Sequence, residues 1–191
     1  MPLPSTIRRI VLTGFMGAGK STTGALLAQT LGWRFIDSDA AIEARTGRPI
    51  GKIFAEDGEA AFRVVEADTI REHTRGQDLV LALGGGAMEH LRTRDVLKSL
   101  DETRVVFLDA PLEVMVARCV AQPEAAERPV LADRDGLLVR LTNRLPHYRT
   151  AHLTVSTADL TPEKVAERIL WELSGTHSEA MRTDEKGLPK Q

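Results

Sequence analysis

Five short apolar runs punctuate the chain, and the residues between them repeat at helical spacing. The first run, Ile10-Val11-Leu12 within a strand expected over 7–13, is consecutive rather than alternating, the pattern of a strand covered on both faces of a parallel sheet. Four more strands are predicted at 33–36, 79–83, 104–108 and 153–155. Amphipathic segments separate them. A helix over 19–31 ends at Gly32, a good C-cap. A short helix over 40–45 precedes a long one over 48–75, where Ile50, Ile53 and Phe54 form one stripe, Gly58 interrupts, and Phe62, Val65, Thr69 and Ile70 form the next. A helix over 91–100 follows, then one opened by Pro111 with Leu112, Val116 and Val120 inward, and one with Leu137, Leu138, Leu141 and Leu145 as its apolar face. Thr161-Pro162-Glu163 starts the last helix with a cap, a proline and an acid. Alternating strand and helix predicts an α/β fold, a three-layer α/β/α domain around a five-stranded parallel sheet. The pattern lapses over about 121–136, which reads as a lid, and turns polar after Ser174. One domain over 1–174 and a disordered tail over 175–191 are therefore expected.

Composition narrows the function. A net charge of −2 supplies no broad basic field, so neither nucleic acid nor an anionic membrane is an expected partner, and phosphate recognition must come from locally placed cations. The one cysteine, Cys119, excludes an internal disulfide and reads as a buried structural residue. No stretch approaches the roughly 18 apolar residues of a membrane helix, and the first residues lack a signal-peptide core. A cytoplasmic monomer acting on small molecules is expected.

The first strand runs into Gly14-Phe15-Met16-Gly17-Ala18-Gly19-Lys20-Ser21 and then Thr22, which fits G-x-x-x-x-G-K-[ST] between a buried strand and a helix. Glycines let successive N–H groups turn around a phosphate, and the helix start adds unpaired N–H groups and a positive dipole end. Lys20 can reach the β and γ phosphates, and Ser21 can ligate magnesium. A nucleoside triphosphate site is predicted.

Other residues are suggestive by position. Asp37 and Asp39, two apart at a strand end, project to one side, where open α/β sheets bind ligands, although Asp39 equally suits the cap of the following helix. Gly84, Gly85 and Gly86 directly after a buried strand favour a close ligand approach over a mere flexible turn. Arg63 and Glu66 can pair one helical turn apart, either as an exposed ion pair of little consequence or as a fixed guanidinium. Arg128, before Pro129, is either a solvated loop residue or a lid cation that closes over a phosphate.

Taken together, the phosphate loop, Phe35-Ile36-Asp37-Ser38-Asp39, Asp57-Gly58-Glu59-Ala60-Ala61-Phe62-Arg63, Leu83-Gly84-Gly85-Gly86-Ala87, Arg128-Pro129-Val130-Leu131 and Arg144-Leu145-Pro146-His147-Tyr148 resemble shikimate kinases in order and spacing. The resemblance implies a P-loop NTPase fold with sheet order 2-3-1-4-5 and a mobile lid, and transfer of the ATP γ-phosphoryl group to the 3-hydroxyl of shikimate in aromatic amino acid biosynthesis. It implies ATP contacts at Gly17, Ala18, Gly19, Lys20, Ser21, Thr22, Arg118 and Arg128, with Lys20, Asp39 and Arg128 as catalytic groups. Shikimate contacts are implied at Asp39, Arg63, Gly84, Gly85, Gly86 and Arg144, and Mg²⁺ ligation at Ser21 and Asp37. A gluconate kinase shares the loop without the whole set. A regulatory module that had lost catalysis would be expected to lack Lys20, Asp39 or the lid arginine.

Overall fold

The computed structural model describes residues 3–121 and 133–175. Its centre is β1 (Arg9–Thr13), buried at every position, flanked by β3 (Leu79–Ala82) and β4 (Thr103–Asp109), with β2 (Arg34–Asp37) and β5 (Leu153–Ser156) at the edges. All neighbours pair in parallel, in the order β2-β3-β1-β4-β5 expected from the resemblance. The edge strands carry exposed positions, whereas the central ones carry none, because only the latter are covered on both faces and both sides. The register decides where the chemistry sits. Leu12 and Asp37 both pair with Ala82, so the chain leaves β1, β2 and β3 side by side at one end of the sheet. Gly14, Asp39 and Gly84 emerge there together, at the carboxyl ends where such sheets bind ligands.

The helices are α1 (Lys20–Leu31), α2 (Ser38–Thr46), α3 (Ile50–His73), α4 (Leu91–Lys98), α5 (Leu112–Val120), α6 (Arg134–Tyr148) and α7 (Pro162–Leu173), with a 3-10 turn at Ala87–Glu89 that spacing alone did not predict. α1 packs so closely on the sheet that a Cβ at Gly24 would stand 2.5 Å from the Phe35 ring. α3 is kinked at Gly58, whose φ of 80° lies in the left-handed region. The main core surrounds the sheet, while Ile42, Ile53 and Phe62 form a separate cluster between α2 and α3.

Several expectations change. Val120 is exposed, and the buried Cys119 takes the inward place at the end of α5 beside Met115 and Val116. Leu138 is exposed too, because α6 turns a narrow stripe of Leu137 and Leu141 to the core. The end of the expected lid is helical instead: Asp133 caps α6 by accepting from the Gly136 N–H at 2.9 Å. Residues 122–132, including Arg128, and 176–191, the bulk of the expected tail, lie outside the described residues.

Candidate functional site

The loop between β1 and α1 forms one wall. Gly17 has a φ of 74°, and a Cβ there would collide with the Met115 carbonyl, so close packing on α5 demands glycine as much as ligand approach does. The Lys20 ammonium donates to the Gly14 and Phe15 carbonyls, both at 2.9 Å, which aims it into the loop and leaves a third N–H. Burial lowers its pKa to about 8, against the opposing pull of Asp39 and Asp37. The charged form is the one that attracts phosphate. Affinity for ATP, measured by calorimetry on either side of that pH, is therefore expected to hold below it and to fall above it, by up to about tenfold per unit.

The two aspartates divide the roles that their spacing left open. Asp37 is the cap of α2: its Oδ1 accepts from the Asp39 N–H at 3.0 Å and the Ala40 N–H at 3.4 Å. That corrects the view of Asp39 as the cap, and frees its carboxylate to face the cleft beside Gly84, where a Cβ would clash with it. Burial raises the Asp39 pKa, Asp37 adds to the shift, and Lys20 and Arg63 oppose it. The other oxygen of Asp37 accepts from Ser21 Oγ at 2.6 Å. Two adjacent oxygens at the mouth of a phosphate loop fit Mg²⁺, which takes few protein ligands and completes its shell with phosphates and water.

On the opposite wall, Arg63 is not an exposed pair-former but 8 % exposed, and Glu66 is 1 % exposed. Arg63 donates to Glu66 Oε2 and to Glu59 Oε1, each at 2.9 Å. Burial pushes the Glu66 carboxyl up to about 7, with Arg63 opposing. Its second oxygen is buried without a hydrogen-bond donor among the described residues. The Gly84, Gly85 and Gly86 segment fits against this pair. A Cβ at Gly84 would stand 3.2 Å from Glu66 Oε1, and one at Gly86 would overlap the Arg63 guanidinium. The third glycine thus serves side-chain room, not flexibility, since Gly86 has an ordinary φ of −98°.

Arg144 reaches the same space from α6. Its guanidinium lies over the Phe15 ring at 5.7 Å, and Nε donates to Glu89 Oε2 at 2.8 Å. Tyr148, one turn on and buried, donates its hydroxyl to the Gly85 carbonyl. Arg118 on α5 donates to Thr157 Oγ1 at 2.9 Å and faces the phosphate loop from the β5–α7 side. Sequence reasoning missed Glu59, Glu89, Phe15 and the anchoring by Tyr148. Only Glu59, four residues from Arg63, had a local signal.

One cleft of about 1320 Å³ joins the loop residues 17–22 to Asp37, Asp39, Arg63, Gly84, Gly85, Gly86, Arg118 and Arg144. Fourteen of the fifteen site residues expected from the sequence therefore share it, and the remaining one, Arg128, lies outside the described residues. The arrangement has a phosphate cradle at one end and two guanidinium groups with a buried carboxylate at the other. It suits transfer between a nucleotide and a small anionic acceptor. Among the described residues no helix is long and apolar enough to cross a membrane.

A family model described as shikimate kinase matches residues 16–174. A shikimate kinase of Halorhodospira halophila (strain DSM 244 / SL1) is 44% identical over 177 residues, covering 91% of this chain and 97% of the relative. The shikimate kinase of Acinetobacter baumannii, solved in complex with shikimate, superposes with a TM-score of 0.76 at 34% identity, covering 91% of this chain and 96% of the other. The shikimate kinase of Bacteroides thetaiotaomicron gives 0.80 at 31% identity, over 87% and 98%.

Proposed function

We infer the reaction from kinship: this chain belongs to the shikimate kinase family. It is an ATP-dependent kinase that transfers the γ-phosphoryl group to the 3-hydroxyl of shikimate, giving shikimate 3-phosphate. The observation that carries this reading beyond kinship is the meeting of Lys20, Asp39, Arg63 and Arg144 in one cleft.

The roles follow from the chemistry. Arg63 and Arg144 present fork-shaped cations suited to a carboxylate, and Glu66 holds Arg63 still. Asp39 accepts from ring hydroxyls and orients the attacking one, and its raised pKa suits it to take that proton as the new bond forms. Gly17, Ala18, Gly19, Ser21 and Thr22 cradle the phosphates, with Lys20 against the transferring group. Arg118 borders the adenine side, and Arg128 is assigned by sequence to the phosphates. Ser21 and Asp37 would hold Mg²⁺, which neutralises phosphate charge when bound. Phosphoryl transfer has a loose transition state, so positioning and charge outweigh the strength of the base. The reading includes a cytoplasmic monomer, in which one chain supplies every group.

A coupled ADP-release assay with Mg²⁺ and ATP tests it. Shikimate should support turnover where gluconate, quinate and no acceptor do not. A gluconate preference would move the chain to the runner-up activity, and ATP binding without any acceptor turnover would restore the regulatory alternative. Gly86→Ala gives a finer check. The backbone there accepts alanine, so the fold should persist while the methyl group displaces the Arg63 guanidinium; kcat/KM for shikimate is expected to fall about 10²-fold at near-constant KM for ATP.

A further inference from the structure

We propose that Glu89 is a positioning residue for the acceptor: it fixes which edge of the Arg144 guanidinium faces the cleft. The inference rests on the assignment of Arg144 to the shikimate carboxylate. Nothing in the spacing singles Glu89 out, since it lies 55 residues from its partner.

Glu89 engages Arg144 through Nε, at 2.8 Å, and this is the donor on the side of the guanidinium rather than at its tip. The Tyr148 hydroxyl also lies within hydrogen-bonding reach of this guanidinium, and the donors that Glu89 and Tyr148 do not engage are left for another ligand. Nη1 stands 3.5 Å from the point where a Cβ on Gly85 would lie, so the unspent donors face the glycine segment that borders the acceptor space. Phe15 supports the flat face of the same group. Arg144 is therefore held at Nε by Glu89 and on one face by Phe15, with Tyr148 beside it, and its remaining donors face the glycine segment.

Glu89 is itself well held. It ends the 3-10 turn, where its N–H donates to the Gly86 carbonyl at 3.0 Å. Arg94 Nη1 donates to the Met88 and Glu89 carbonyls, both at 2.7 Å, and lies 3.4 Å from His147 Nδ1 on α6. A carboxylate on so firm a backbone can orient a long, half-free arginine that would otherwise spread over many rotamers.

The competing possibility has the opposite sign. If Glu89 merely rivalled the acceptor carboxylate for Arg144, its removal would tighten shikimate binding. Positioning predicts the reverse. Glu89→Ala should raise KM for shikimate roughly tenfold, with kcat and KM for ATP within about twofold of wild type and an unchanged melting temperature. Glu89→Gln keeps an oxygen that accepts from Nε, and should recover most of the loss. In an Arg144→Ala background, Glu89→Ala should have no further effect on kcat/KM. An unchanged or lowered KM in Glu89→Ala would overturn the proposal, as would a glutamine variant as poor as alanine, or an undiminished effect without Arg144. A loss spread evenly over kcat, both KM values and melting temperature would show a structural role instead. Wild-type protein without shikimate-dependent ADP release would sink the parent reading along with this one; normal wild-type turnover with an indifferent Glu89→Ala would sink this one alone.

Discussion

Lys20→Ala is expected to lower kcat about 10³-fold while leaving the fold intact. The ammonium is held by the Gly14 and Phe15 carbonyls within the phosphate loop, so on the proposed assignment to the transferring phosphoryl group it needs little reorganisation when charge develops there. Burial strengthens its field relative to a lysine in water. The same burial holds its pKa down to about 8, which means the folded protein bears a cost in keeping the side chain charged. Removing it should therefore not reduce, and can raise, the melting temperature. Kinetics and stability then move in opposite directions, a signature that general damage would not give. Near-normal kcat in this variant would refute the role.

Arg63→Ala is expected to cost about 10²–10³-fold in kcat/KM for shikimate, as two charge-assisted hydrogen bonds to a carboxylate are lost. Its effect on stability should depend on pH. Glu66 loses its partner inside the protein, and an unpaired buried carboxylate is avoided by keeping its proton. Since Glu66 already sits at about 7 in the wild type, protonation near neutrality is easy and the penalty there is modest. Raising the pH removes that escape. Above about 7 the folded variant retains a proton that the unfolded chain has released, so its stability should drop relative to wild type by up to about 1.4 kcal/mol per unit. Denaturant melts of both proteins at several pH values test this; parallel profiles would show that Glu66 does not depend on Arg63.

The fold was largely legible because its main signals are local. Consecutive apolar residues mark the strands of a parallel sheet, and the cap chemistry of Gly32 and Thr161 marks helix ends where the structure has them. The Arg63–Glu66 pairing was legible as spacing, but its burial was not, because burial depends on the glycine segment folded against it from β3. Asp39 remained ambiguous for a similar reason: both aspartates sit at a strand end, and only the three-dimensional path of the chain decides that Asp37 turns back to cap α2. Glu89 and Phe15 could not be found at all, since each meets Arg144 across more than fifty residues of sequence. Val120 and Leu138 misled because apolar side chains at helix margins satisfy periodicity without facing the core.

The separate cluster of Ile42, Ile53 and Phe62 has a consequence for how the protein breathes. α2 brings Asp39 to the cleft, and the second half of α3 is tied to the main core through Ile70, yet the cluster of Ile42, Ile53 and Phe62 shares no buried residue with that core. A region held by so few buried side chains can open as its own cooperative unit while the sheet stays closed. Amide hydrogens in α2 and the first half of α3 would then exchange with solvent at a lower free energy than those of β1 and β3. The α2 wall of the cleft, which carries Asp39, can then loosen and re-form while the phosphate loop keeps its shape.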